Sequence, residues 1–254
     1  MVVDFGRTAS DYVRHRVGFP DRFFERLIHD GIVVKGDRVL DLGTGTGTVA
    51  RGLALRGCAV TGLDPSRALL DQAKNLDREA GVEIRYVEAR AEQTGLPSGS
   101  FDVVTAGQCW HWFERDKAAT EAHRLLASGG RLIVAYFDWL PLPGNLVEAT
   151  EKLIKEHNPP WDADGGAGVH PQYFADLSLA GFRDIESFSF DVSVQYSYEG
   201  WLGRIRASSG VGASLPPEAI AHFDSAHREL LARSFPESTL EIPHRVFAVF
   251  GRRG

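Results

Sequence analysis

The sequence predicts an α/β fold, a largely parallel sheet with helices on both faces. Three observations predict it. Between Arg38 and Phe137 short apolar runs alternate with segments whose apolar residues recur at helical spacing, the pattern of repeated β-α units. The run Val39-Leu40-Asp41-Leu42 ends in Gly43-Thr44-Gly45-Thr46-Gly47-Thr48 and passes directly into helix-like sequence. Hydrophobic residues make up 43% and charged residues 24% of 254 positions, a mixture that can bury a full core.

The elements follow in order. Asp21 reads as the N-cap of a helix carrying Phe23, Phe24, Leu27 and Ile28, and before it Tyr12 to Pro20 is an aromatic, basic arm, either solvated or functional. Strand one is Arg38–Leu42, followed by a helix over Thr46–Arg56. Strand two is Cys58–Leu63, ending at Asp64, with a helix over Ser66–Ala80 whose apolar face is Leu69, Leu70, Ala73 and Leu76. Strand three, Glu83–Glu88, leads into a loop holding Ala91, Glu92, Leu96 and Pro97. Strand four is Phe101–Ala106, a helix spans Asp116–Leu126, and strand five is Arg131–Phe137 after a Gly129-Gly130 turn. Beyond Trp139 the rhythm breaks at Pro141 and Pro143. Helices are expected over Leu146–Glu156, Gln172–Ala180, Glu199–Ala207 and Pro217–Arg233, and strands over Asp184–Val194 and Leu240–Phe250. The segment 158–171, rich in Pro, Gly and Asp, reads as a mobile lid. The whole chain is expected to form one domain: arm and helix over 1–37, a ligand-binding core over 38–137, and lid helices with the last two strands over 138–254.

Charge and composition exclude several classes. A net charge of −6 disfavours a nucleic-acid partner, which calls for a basic surplus. The first residues hold no apolar leader and no later run approaches membrane-spanning length, so no membrane partner is expected and the cytoplasm is the expected compartment. Two cysteines, Cys58 and Cys109, make no disulfide framework, and nine histidines fall in no metal-ligand spacing. A monomer or homodimer without metal is expected.

A strand that ends in Gly-x-Gly-x-Gly and becomes a helix brings bare backbone and helix N–H groups to a ligand. A dinucleotide turn reads G-x-G-x-x-G, whereas this one reads G-T-G-T-G-T after Asp41. Both kinds want an acid about 20 residues on for ribose hydroxyls, and Asp64 serves either, so spacing leaves both open.

The surrounding motifs carry a resemblance. VLDLGTGTG, GLDPS and ARAEQTGLPSGSFDVVTAGQCWHWF resemble motifs one to four of class I S-adenosylmethionine-dependent methyltransferases. GLPSGSFDVV followed by WHWF is similar to the type 11 group, which includes trans-aconitate methyltransferase-like small-molecule enzymes. The resemblance implies a Rossmann-like sheet of seven strands, the last inserted antiparallel between strands five and six, with a helical lid after strand five. It implies S-adenosyl-L-methionine as cofactor, leaving as S-adenosyl-L-homocysteine. Asp41, Gly43, Thr44 and Gly45 would line its methionine end, Asp64 would take the ribose hydroxyls, and Pro65, Ala91 and Glu92 would meet the adenine. Gln108 and His111 would lie beside the sulfonium, and Tyr12 and Arg16 in the arm would fold over the cofactor. Each has a plainer alternative. Asp41 can brace the turn, Asp64 can cap the next helix, Tyr12 and Arg16 can be surface residues, and His111 can simply pack.

A methyl on sulfonium is already activated, so orientation and exclusion of water carry most of the rate. A carboxylate acceptor needs no base; a phenol, hydroxyl or amine gains from one, for which His111 is the catalytic candidate and His170 a second. Substrate contacts are expected from Trp112, His170, Trp201, Arg204 and Arg206, the arginines receiving an acidic group or lying solvated. Asn158-Pro159-Pro160-Trp161 mimics a motif of methyltransferases acting on planar nitrogens, but lies far beyond strand four, where that motif would work. The expected function is methyl transfer to a small molecule, with one bearing a carboxylate as the hypothesis for the acceptor. The rivals are a non-catalytic protein that binds the same cofactor and an NAD-dependent dehydrogenase.

Overall fold

The computed structural model describes residues 17–162, 165–237 and 239–254. Tyr12 and Arg16 lie outside them. Helix α1 spans Asp21–His29 and buries Phe23, Phe24 and Leu27 on one face. Its cap is Pro20 and not Asp21, which is the first helical residue. There the carboxylate faces the positive helix end and accepts a hydrogen bond from Arg56 at 2.9 Å. The alternating pattern then yields β1 (Arg38–Leu42), α2 (Thr48–Ala54), β2 (Ala59–Asp64), α3 (Arg67–Ala80), β3 (Arg85–Glu88) and β4 (Phe101–Gly107). A 3-10 turn (Trp110–Trp112), α4 (Arg115–Leu125) and β5 (Leu126–Trp139) follow. The remaining elements are α5 (Leu146–His157), α6 (Gln172–Leu179), β6 (Arg183–Ser197), α7 (Tyr198–Arg206), α8 (Pro217–Ser234) and β7 (Thr239–Arg252).

One seven-stranded sheet runs β3-β2-β1-β4-β5-β7-β6, mostly parallel, with β7 antiparallel to β5 and β6. β1 pairs in parallel with β2 and with β4, so Asp41 faces Gly62 on one side and Thr105 on the other. Parallel pairing puts the C-terminal ends of β1, β2 and β4 along one edge, where ligands of open α/β sheets bind. Strand five begins earlier than the glycine pair suggests. Gly129 donates to Arg253 O at 3.0 Å and Gly130 accepts from Arg253 N–H at 2.8 Å, so these residues pair with the chain end. The register slips between Phe101 and Val103 to absorb them.

The chain divides into two compact units, interleaved in sequence. The first comprises Gly18–Phe137, His170–Phe190 and Val246–Gly254. Its core includes Leu40, Leu42, Leu63, Val104, Trp110, Leu125, Val134 and Tyr136. The second comprises Val17 and the described residues within Asp138–Val169 and Asp191–Arg245. Its core is aromatic, with Trp161, Tyr196, Trp201 and Phe223 among Ile154, Ile205, Leu231 and Ile242. Here Asn158-Pro159-Pro160-Trp161 is structural: Asn158 is buried and donates to Gly210 O at 2.9 Å and to Ser214 Oγ at 3.0 Å, while Trp161 is buried.

Gly52 shows how closely α1 and α2 pack. A Cβ at this position would stand 2.2 Å from Phe24 Cζ, and that ring is itself buried. Alanine in a helix is worth about 1 kcal/mol over glycine, but overpacking a core costs about 1–3 kcal/mol. Gly52→Ala should therefore lower the midpoint of urea unfolding; a raised midpoint would show that Phe24 moves aside without cost.

Candidate cofactor and methyl-transfer site

The turn after β1 is built by conformation and by two carboxylates. Gly43, Gly45 and Gly47 all adopt left-handed backbone, with φ of 58°, 55° and 78°. At Gly43 a Cβ would collide with Cys109 Sγ and Phe113 Cζ, both at 2.9 Å, so the turn abuts the segment that follows β4. At Gly45 no described atom lies within 4 Å of a Cβ position, and the dihedral alone demands glycine. Bare backbone here leaves room for a ligand to come close.

Asp41 is 1% exposed. Its Oδ2 accepts from the Thr44 hydroxyl and its Oδ1 from the Thr105 hydroxyl, each at 2.7 Å. Burial without a cation raises its carboxyl from 3.8 to about 6, against the pull of both hydroxyls and the Ala50 backbone. It therefore braces the turn from below. Asp64, at the end of β2, accepts from Gly45 N–H at 2.9 Å and from Ser66 N–H at 2.8 Å. Burial raises its carboxyl too, offset by those two N–H groups. The cap of α3 is Ser66, whose hydroxyl accepts from Leu69 N–H. Thr44 N–H donates to Leu63 O at 2.9 Å, tying the same turn to β2. Pro65 is exposed beside Asp64 and Ala91 is buried after β3. Glu92 accepts from Glu114 N–H at 3.0 Å, anchoring the approach to α4.

Beyond β4 the backbone is strained. Gln108 sits at φ 61°, unusual for a residue other than glycine. Its N–H donates to Ala135 O at 2.8 Å and its amide nitrogen to Phe137 O, which pins it to β5. Cys109 Sγ donates to Leu42 O at 3.1 Å, and a 3-10 turn then presents His111 and Trp112, both exposed, their rings 4.4 Å apart. His111 Nδ1 lies 2.7 Å from the Tyr136 hydroxyl. The His170 ring packs at a tilt against Tyr136 with ring centroids 4.1 Å apart, so two candidates remote in sequence flank one buried phenol.

The remaining candidates lie in the second unit. Trp201 is fully buried, packed edge-on against Trp139 at 5.6 Å and Tyr196 at 5.3 Å, with its N–H donating to Thr150. Arg204 lies over the Trp139 ring at 4.7 Å. Arg206 is ion-paired with Asp224. Sequence reasoning missed Thr105, Tyr136 and Tyr173. The available signal for Tyr136 was its place toward the C-terminal end of a central strand.

A family model described as a methyltransferase domain matches residues 40–134. The chain is 33% identical over 213 residues to a malonyl-[acyl-carrier protein] O-methyltransferase of Geobacter sulfurreducens, covering 76% of this chain and 73% of that protein. This chain belongs to the S-adenosylmethionine-dependent methyltransferases. A solved structure of a putative type II methyltransferase from Anaeromyxobacter dehalogenans shares 25% identity and a TM-score of 0.67, covering 94% of this chain and 98% of that one. An uncharacterized methyltransferase of Mycobacterium tuberculosis is 34% identical over 132 residues, 52% of this chain and 51% of that protein. The chain thus spans about half the length of several curated relatives it matches. For this methyltransferase S-adenosylmethionine is the cofactor, and when bound it supplies an activated methyl group. No helix among the described residues is long and apolar enough to cross a membrane.

The Asp41 carboxyl makes a pH signature. A carboxyl held above its unfolded value favours the fold only while protonated. That contribution is complete near pH 4 and is lost as pH rises through about 6. The rise corresponds to about 3 kcal/mol. Asp41→Asn, which carries no charge, should gain on the wild type by roughly 2–3 kcal/mol between pH 4 and pH 7. Urea unfolding of both proteins across that range measures it; a constant difference would mean that Asp41 ionises in the fold at little cost.

Proposed function

We propose that this protein transfers the methyl group of S-adenosylmethionine to a small molecule that carries a carboxylate. The observation that carries the reading is the glycine turn closed by Asp64, whose carboxylate binds the turn's own Gly45 N–H at the ribose-reading position. Asp41, Gly43, Thr44 and Gly45 are assigned to the methionine end, Asp64 to the ribose, and Pro65, Ala91 and Glu92 to the adenine. Gln108 and His111 are assigned to the methyl, with Trp112 and His170 beside them on the acceptor's side.

The small acceptor is supported by the acidic net charge, −6, which repels phosphate backbones. The carboxylate is supported by the Geobacter relative, named for O-methylation of a malonyl group. Arg204, whose guanidinium lies over the Trp139 ring at 4.7 Å, is of the residue type that binds planar acids. Arg206 is assigned a structural role through Asp224.

Calorimetry and a labelled-methyl assay test this. S-adenosylhomocysteine should bind and NAD should not, and Asp64→Ala should weaken binding about 10- to 100-fold, the loss of a charged hydrogen-bonding group. Tight NAD binding without S-adenosylhomocysteine binding would overturn the assignment. Binding with no transfer to any small acid, phenol or amine would favour a non-catalytic protein. Arg204→Ala should raise KM for acidic acceptors about tenfold or more with kcat nearly kept, whereas an unchanged KM would remove Arg204 from the acceptor site.

A further inference from the structure

A cavity of about 530 Å³ lies within the first unit, among α1, β5, β6 and β7. Arg131, which lines it, pairs with Val103 near the start of β4, whereas Leu42, just before the glycine turn, pairs with Ala106 near the end. The cavity therefore lies toward the sheet edge opposite the turn. None of the residues assigned to methyl transfer lines it.

The lining is sorted by chemistry. Gly130 accepts from Arg253 N–H, so the next residues along these antiparallel strands, Arg131 and Arg252, are neighbours across β5 and β7. Side chains two apart on a strand share a face. Arg252 thus shares its face with Phe250 on β7, and Asp184 and Glu186 share theirs with Phe188 on β6, and all five line the cavity. Near the sheet edge this makes a row of two guanidiniums followed by two carboxylates. Further in, the buried rings of Phe188 and Phe250, 6.3 Å apart, form an apolar floor. The end of α1 adds Arg26 and Asp30, which are ion-paired with each other, Arg26 lying over Phe188.

The charged row has no partners of its own. Like charges side by side on a sheet repel, and among the described residues neither Arg131 nor Arg252 is ion-paired. Arg131 donates to Ile32 O at 3.3 Å. Burial and the neighbouring Arg252 hold its pKa below the usual arginine range, while Asp37 and Glu186 pull the other way from farther off. Asp184 stands in left-handed backbone, φ 48°, and its carboxylate is bonded to no described residue. Such backbone at a residue other than glycine clusters where ligands are clamped.

We propose that this cavity binds a free apolar α-amino acid as its zwitterion. Arg131 and Arg252 receive the carboxylate, Asp184 and Glu186 receive the ammonium group, and the side chain lies on Phe188 and Phe250. A ligand with both charges matches a row that holds two of each sign. A bare anion would meet the two carboxylates, and a bare amine the two guanidiniums. The site is separate from the methyl-transfer site and stands independently of its acceptor.

Calorimetry on the full-length protein, saturated with S-adenosylhomocysteine, tests this. Saturation matters because the cofactor itself ends in an amino acid, and its own site must be filled first. L-Phenylalanine should bind with a Kd of about 1 mM or tighter. Phenylacetate and phenethylamine, which each keep one charge, should bind about tenfold more weakly or worse. Asp184→Asn removes the charge and keeps a residue that tolerates left-handed backbone. That variant and Arg252→Gln, both at exposed positions, should each weaken phenylalanine about tenfold, with S-adenosylhomocysteine affinity kept within about twofold. No binding of phenylalanine, phenylacetate that binds as tightly, or an affinity indifferent to both variants would overturn the proposal.

Discussion

A buried carboxylate organises the first unit. Asp41 sits between β2 and β4 with Thr44 and Thr105 on its two oxygens. Burying a charge is costly unless its hydrogen-bonding capacity is met, and here both oxygens are satisfied by hydroxyls. The bond to Thr44 fixes the first residue beyond Gly43, and the bond to Thr105 fixes the strand that leads to Gln108 and His111. One group thereby sets the relative position of the cofactor turn and the segment after β4. Asp64 completes the arrangement from β2, because its bond to Gly45 N–H closes the turn from the other side.

The consequences propagate by close packing. With the turn held, Gly43 leaves room for Cys109 and Phe113, and those two residues flank the 3-10 turn that carries His111. Gln108 accepts a left-handed backbone there, stabilised by its bonds to Ala135 and Phe137 on β5. Strain of this kind persists only where neighbours over-determine it. The second unit is different in character. Its core is rich in Trp, Tyr and Phe, and burial pushes His227 and His244 down to about 4, so both are neutral at pH 7. Neutral histidines among aromatic rings give that unit shape without adding charge.

Much of the fold was legible because periodicity and turn chemistry are local. The predicted strands and helices from Arg38 to Phe250 all form, with ends displaced by only a few residues in most cases. The exceptions have physical reasons. Asp21 was misread as a cap because proline before it serves that place. The Gly129-Gly130 pair was misread as a plain turn because its partner, Arg253, is remote in sequence. The site was legible in part. Asp41 and Asp64 stand out near the ends of their strands, and Gln108 and His111 by their place after β4, while the two threonines bound to Asp41 were not legible.

The sequence by itself determined the order of elements, the glycine turn and the acids that flank it, since each follows from residues adjacent along the chain. Only the tertiary structure decided what those residues touch. Thr105 reaches Asp41 from 64 positions away, and Tyr136 joins His111 with Tyr173 across 25 and 37. No spacing rule links such residues. They meet because parallel strands deliver their ends to one edge, and hydrogen bonds there are formed by the fold as a whole.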